Sequence, residues 1–199
     1  IGKKVMQAAA KNLTPITLEL GGKSPAVVID GANLGITAKR IIWGKSLNAG
    51  QTCIAPDHVL VKETLYASLI SNFKKSIYDF YGTNPLSSKH LASIINQTQF
   101  QRLNKLLKEA KTNNQIIYGG ETNEYEKRIS PTLIKVKDRN DPLMQEELFG
   151  PLLPILCIKN LDEVISDLNC ISKPLALYLF GGNHIDQQKI LSMTSSGGV

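Results

Sequence analysis

No run of eighteen consecutive apolar residues occurs in this 199-residue chain, so no segment reads as a membrane-spanning helix. Cysteine is scarce. Cys53, Cys157 and Cys170 have neither the paired spacing of a metal site nor the even number of a disulfide framework, which favours a reducing compartment. A basic stripe is also missing. The net charge of +6 is scattered, and the lysines at Lys74-Lys75 and from Lys105 to Lys111 have no aromatics between them, which argues against nucleic-acid binding. Internal repeats and low-complexity tracts are absent. A phosphate loop fails at Gly22-Lys23-Ser24, because Thr17 stands where the pattern wants glycine and a strand, not a helix, follows. What remains, 42% hydrophobic and 20% charged residues, is the make-up of an ordinary soluble globular protein, long enough for one sizeable core. The chain opens on Ile1, directly into a helical pattern, and reads as part of a longer protein. The lack of a targeting signal therefore decides nothing.

Apolar periodicity divides the chain into alternating elements. Ile1 to Asn12 reads as a helix, Thr14 to Leu20 as a short strand, and Ser24 to Asp30 as a β-branched strand. Asn33 is placed to cap a helix running to Leu47, with Ile36, Ala38, Ile41, Ile42 and Lys45 on its apolar side and Gly50 as its stop. His58 to Lys62 is the next strand, and Thr64 to Tyr81 an amphipathic helix on Leu65, Leu69, Phe73, Ile77 and Phe80. After a turn-rich link, Lys89 to Thr112 reads as helical, in one piece or two. Strands are predicted at Gln115 to Tyr118, Ile129 to Val136, Leu152 to Ile158 and Leu175 to Phe180, with Pro131 marking an edge or opening. Helices are predicted at Leu161 to Ile171 and Asn183 to Thr194, and a further strand begins at Gly197. This alternation predicts an α/β fold, a largely parallel sheet flanked by helices.

Two stretches carry chemistry. Ala49-Gly50-Gln51-Thr52-Cys53-Ile54-Ala55-Pro56-Asp57 holds one thiol between a glycine turn and a proline turn. Leu18-Glu19-Leu20-Gly21-Gly22-Lys23-Ser24-Pro25 places an acid between two leucines, where desolvation suits a general base. A soft nucleophile and a base are the parts that covalent catalysis at a carbonyl needs. Taken singly, each has a bland reading: a lone cysteine is usually a small buried hydrophobe, and a lone glutamate is usually solvated. Cys157, in an apolar strand, and Cys170, in a helical pattern, read as unreactive. Gly2, at the front of the first helix, permits a phosphate to approach backbone N–H groups, or merely lets the helix pack.

Together these motifs resemble the NAD(P)-dependent aldehyde dehydrogenase superfamily. The segment around Glu19 is similar to its glutamate signature and Gly50-Gln51-Thr52-Cys53 to its cysteine signature, at the family's usual spacing. Gln145-Glu146-Glu147-Leu148-Phe149-Gly150-Pro151 is similar to its cofactor-contacting segment. Trp43-Gly44-Lys45, Ile54-Ala55-Pro56-Asp57, Lys173 to Tyr178 and Ser195 to Val199 resemble the class 3 and fatty-aldehyde branch. His58, where that branch usually has an aromatic, and Ser93-Ile94-Ile95-Asn96 depart from it.

The resemblance implies that Cys53 attacks an aldehyde, its own N–H donating to the oxyanion, and that Glu19 activates the water that hydrolyses the thioester. It implies that Glu147 and Phe149, with Gly2, Leu20 and Gly21, contact NAD or NADP, and that no metal is used. Residues 1–20 would end a cofactor-binding domain and 21–199 form an incomplete catalytic domain. The full-length protein would be a homodimer acting on small-molecule aldehydes, in the cytoplasm or at the cytoplasmic face of an intracellular membrane. Two other functions stay open: a truncated or non-enzymatic relative that keeps the fold for binding, and a thioester enzyme releasing its product to coenzyme A, which Glu19 disfavours.

Overall fold

The computed structural model describes residues 1–199. In chain order its elements are α1 (Gly2–Ala10), β1 (Pro25–Val28), α2 (Leu34–Ser46), β2 (His58–Lys62), α3 (Tyr66–Tyr81), α4 (Gln97–Thr112), β3 (Ile116–Tyr118), β4 (Thr122–Asn123), β5 (Arg128–Ile129), β6 (Thr132–Val136), β7 (Leu152–Ile158), α5 (Leu161–Asn169), β8 (Tyr178–Phe180) and α6 (His184–Met193). Six strands form one sheet in the order β3-β6-β7-β2-β1-β8. All neighbours run parallel except β3, which pairs antiparallel with β6 at one edge. Strands β4 and β5 form a separate two-stranded ribbon.

Period-2 alternation sends successive side chains of each strand to opposite faces. Val27, Leu60, Ile134 and Leu156 enter one core with Leu103 and Leu107 of α4, Val164 and Ile165 of α5, and Ile190 of α6. Val28, Val59, Val61 and Ile155 enter the other with Ile41 and Ile42 of α2 and Leu69, Phe73 and Ile77 of α3. The central strands are therefore covered on both sides, as a parallel sheet requires. Phe73 is fully buried, and Phe73→Ala would cost about 3–5 kcal/mol through lost burial and the cavity left behind. Four helices start on asparagine caps. Asn33, Asn96, Asn160 and Asn183 accept from N–H groups of the first turns of α2, α4, α5 and α6, each worth about 1 kcal/mol against alanine.

Some expectations need correction. Thr14 to Leu20 is no strand: it has no neighbour to pair with and stays irregular. Ile36 points outward, and Thr37 takes its place on the buried side of α2. Lys89 to Asn96 is not helical, because its backbone bonds elsewhere: Ile94 N–H donates to Lys127 O and Ile95 N–H to the Gln51 side chain. The strand expected at Leu175 to Phe180 shortens to β8, half-buried at the sheet edge. Pro131 lies in the break between β5 and β6, an opening rather than an edge.

One consequence of the strand order governs the site. Gly21–Ser24 leads into β1, Cys53–Asp57 into β2 and Glu147–Pro151 into β7, and these three strands are adjacent and parallel. Segments far apart in sequence thus emerge side by side at one end of the sheet.

Candidate active site

The loop that carries Cys53 begins with an abrupt reversal after α2. Asn48, Ala49 and Gly50 all take left-handed backbone conformations, with φ of 49°, 53° and 75°. Two are not glycine, so the reversal stores strain that the surroundings must overcome. Gln51 supplies much of what holds it. Its side-chain amide donates to Asn48 O at 2.9 Å and to Ser93 O at 3.0 Å, and its Oε1 accepts from Ile95 N–H at 2.9 Å. Cys53 follows, half-buried. The Tyr178 hydroxyl donates to Ile54 O at 2.6 Å, fixing the turn beyond the thiol. No group of the chain accepts the Cys53 N–H. It is free to donate to an oxygen bound at Sγ.

The Glu147 segment meets this loop directly. A Cβ built on Gly50 would stand 2.3 Å from Gly150 O, so the two backbones touch where only glycine fits. Glu147 lies across the Gly21 turn, where a Cβ on Gly21 would sit 2.3 Å from its Oε1. The carboxyl is half-buried, and burial pushes its pKa up. The Gly22 N–H opposes that shift, although the two do not meet hydrogen-bond geometry. Phe149 takes a left-handed φ of 49° and leaves its ring partly exposed.

Beneath these groups is an ion pair the sequence analysis missed. Lys23 Nζ binds Asp57 Oδ2 and donates to Leu143 O at 2.7 Å and Glu146 O at 3.1 Å. Asp57 Oδ1 accepts from Leu148 N–H at 2.7 Å. On the far side, Arg102 Nη2 donates to Leu148 O. Burial lowers the Lys23 pKa, and Asp57 offsets this only in part. Burial acts against the Asp57 anion, but the nearby cations Lys23 and Lys45 favour it, and the carboxyl is held below the usual carboxylate range. His58 Nδ1 is 3.9 Å from Asp57 Oδ2, too far for a hydrogen bond, and neither ring nitrogen has a partner. Burial pushes its pKa down to about 4, so it stays neutral near pH 7. A signal for the pair was present in the sequence. Opposite charges stand just ahead of two buried, β-branched strands that pair from Pro25 and His58 onward.

Other predicted residues fare differently. Glu19 is exposed and makes no hydrogen bond, so Leu18 and Leu20 do not desolvate it as expected. Gly2 is buried at the start of α1, where an added Cβ would touch Leu20 and Leu18. Gly2, Leu20, Gly21 and Glu147 thereby form one continuous patch. Cys157 is half-buried rather than fully enclosed, and Cys170 is exposed beyond α5, contrary to the quiet surroundings expected for it. Beside the Cys53 turn is an apolar hollow of about 500 Å³, lined by Trp43, Leu47, Thr52, Ile54, Tyr178 and Phe180 among others.

A cysteine loop locked to a carboxylate-bearing segment on a parallel sheet defines a class, and comparison with known proteins names it. The model of the aldehyde dehydrogenase family matches residues 1–199. Mouse aldehyde dehydrogenase family 3 member A2 is 47% identical over 199 residues, all of this chain and 40% of the relative. The rat dimeric NADP-preferring aldehyde dehydrogenase is 44% identical, over all of this chain and 43% of its own length. Staphylococcus aureus AldH, solved in a substrate-bound state, superposes with a TM-score of 0.95 at 43% identity, over 99% of this chain and 43% of that one. The chain belongs to the aldehyde dehydrogenase family. It spans about two fifths of the length of these relatives.

Proposed function

We propose that this chain supplies the nucleophile, the hydrolytic base and the nicotinamide-side contacts of an enzyme that oxidises aldehydes to carboxylic acids with NAD(P)+. The observation that carries the reading is the contact of the Cys53 loop with the Glu147 segment at Gly50 and Gly150, beside an apolar hollow. The surface around Glu147 fits a nicotinamide riboside. It offers a carboxylate to accept ribose hydroxyls, a glycine turn without side chains beneath it, and a partly exposed aromatic ring on Phe149.

In this reading Cys53 loses its proton to water and attacks the aldehyde carbon as a thiolate, and the Cys53 N–H donates to the oxygen as it gains charge. A nicotinamide held by Glu147 and Phe149 would supply the hydride acceptor. Cys53 is left as a thioester. Glu19 takes a proton from the water that attacks it, the C–S bond breaks, and acid and free thiol result. The hollow walled by Trp43, Ile54 and Phe180 suits an extended apolar aldehyde tail. Residues 1–20 close a cofactor-binding domain and 21–199 belong to the catalytic domain, a division supported by the exposed, unpaired stretch before Gly21. A dimer and the use of NADP are supported by the name of the rat relative.

The test is the full-length protein with aliphatic aldehydes of graded length and NAD or NADP, followed at 340 nm. Turnover that Cys53→Ala abolishes supports the reading. No turnover with any aldehyde or either cofactor sinks it in favour of a non-enzymatic relative.

A further inference from the structure

Glu147 sits between two peptide groups, and both are held by the same ion pair. The carbonyl before it, Glu146 O, accepts from Lys23 Nζ at 3.1 Å. The N–H after it, on Leu148, donates to Asp57 Oδ1 at 2.7 Å. Fixing both flanking peptide planes fixes the two backbone torsions of Glu147, and with them the direction of its side chain. Leu148 is then held through its carbonyl by Arg102, and its side chain is buried. Phe149, next along, takes a left-handed conformation that a phenylalanine avoids unless its neighbours enforce it.

The two ions also belong to the other motifs. Lys23 directly follows the Gly21-Gly22 turn on which the Glu147 carboxylate rests. Asp57 closes the Cys53 loop, and its own N–H donates to Ser24 O at 2.8 Å. Both side chains are almost wholly buried, at 9% and 3% exposure. The partners they take, beyond each other, are backbone groups of residues 143–148. Packing alone does not account for a lysine spent on two carbonyls and a carboxylate on an amide, all within one six-residue segment.

We propose that Lys23 and Asp57 are a positioning pair that sets Glu147 and Phe149 relative to Cys53. The proposal rests on the dehydrogenase reading above and adds a division of labour to it. Both side chains are buried, so the pair would act through the segment it holds rather than on a ligand. It governs the geometry of hydride transfer and leaves the acyl chemistry of Cys53 to other groups. Positional errors of this kind are expensive, because a displacement near 1 Å lowers a rate by roughly a hundredfold.

The experiment compares full-length wild type with Lys23→Arg, Lys23→Met and the double variant Lys23→Met/Asp57→Asn, which removes both charges together. Three quantities are read on each. They are the single-turnover hydride rate with saturating aldehyde and cofactor, the cofactor Kd by calorimetry, and hydrolysis of p-nitrophenyl acetate, which needs a thiol and a base but no nicotinamide. For Lys23→Met and the double variant, the hydride rate should fall at least tenfold and the cofactor Kd rise severalfold, with ester hydrolysis within about threefold of wild type. Lys23→Arg, which keeps the charge and its donors, should recover most of the hydride rate. Parallel loss of hydride transfer and ester hydrolysis, or unchanged hydride transfer, overturns the proposal. If Lys23→Met does not fold, the charge-free double variant and Lys23→Arg decide the matter on the same readings. A wild type that hydrolyses the ester but reduces no cofactor with any aldehyde instead overturns the functional reading beneath.

Discussion

Residues 48–57 and residues 14–20 each hold one half of the proposed chemistry, and the fold treats them in opposite ways. The Cys53 loop is bonded to Ser24, Ser93, Ile95, Leu148 and Tyr178. The stretch leading to Glu19 lies outside the sheet, and Thr14, Pro15, Thr17 and Glu19 are exposed. Cys53, the proposed nucleophile, is placed by the core of the chain. Glu19, the proposed base, lies on a stretch that the sheet of this chain does not hold. A thiol must be aligned to one carbonyl within tenths of an ångström, whereas a base that works through a water tolerates more freedom.

The largest effect expected from this contrast is at the anchored side. Cys53→Ala in the full-length protein should lower turnover by on the order of 10⁴-fold or more, since no other group can form the acyl intermediate. Residual turnover within tenfold of wild type would place the nucleophile elsewhere. On the stretch outside the sheet, Glu19→Gln should lower steady-state turnover by about 10²–10⁴-fold while sparing the first acylation. Stopped-flow should show a burst of reduced cofactor followed by slow turnover. If the burst itself disappears, Glu19 acts before hydrolysis and the contrast between the two sites narrows.

Gly50→Ala sharpens the comparison from the structural side. The new Cβ would stand 2.3 Å from Gly150 O at a residue with φ of 75°, and neither backbone can give way cheaply. A destabilisation of about 2–4 kcal/mol is expected from strain and overlap together. A melting temperature unchanged from wild type would show that the two loops are looser than drawn. Substituting Leu13, which is 90% exposed just ahead of the Glu19 stretch, should change stability by less than about 0.5 kcal/mol.

A smaller effect concerns acid. The folded pKa of His58 is pushed down to about 4 from 6.5, so from about pH 6.5 down to pH 4 the unfolded chain binds a proton that the folded chain refuses. Stability therefore falls as pH drops through that window, by up to about 1.4 kcal/mol per pH unit, and is unaffected by this group above it. His58→Phe removes the proton uptake and should flatten the loss. Urea midpoints from pH 7 to pH 4.5 measure it, and equal slopes for the two proteins would count against a buried neutral imidazole. The mildest test is labelling. Limited iodoacetamide should modify Cys53, but exposed Cys170 competes, so a Cys170→Ser background is needed before single-site labelling is read as evidence for Cys53.

The fold was largely legible because the parallel strands are short apolar runs separated by well-capped helices. Asn33 and Asn183 announced the starts of α2 and α6, and β2 falls on the predicted His58 to Lys62. Errors arose where tertiary bonds override local pattern. Leu91 and Ile94 have the spacing of a helix, yet they plug two different cores while the backbone between them is taken by Gln51 and Lys127. The reactive motifs were visible as residue types. That the segments of Gly21, Cys53 and Glu147 lie side by side was not, because it depends on β7, β2 and β1 being neighbours, and strand order leaves no mark in a local window. Lys23 and Asp57 escaped for the same reason: the opposite charges ahead of two buried strands become a pair only when those strands are laid side by side.

The left-handed run at Asn48, Ala49 and Gly50 has a bearing on how the molecule is made. Two non-glycine residues in that region together cost on the order of 2–6 kcal/mol, and an isolated segment has nothing to offset it. The turn becomes favourable once Gly150 packs against Gly50 and Gln51 reaches Ser93 and Ile95, contacts that join distant parts of the chain. The Cys53 loop should therefore be among the last parts to order, after β1, β2 and β7 have paired. Pulse-labelled hydrogen exchange during refolding would show the Val59 and Val61 amides protected before that of Gln51. The reverse order would mean that the turn is a nucleus rather than a latecomer. A thiol that is held in place only when the sheet is closed is left without its alignment in the half-folded protein.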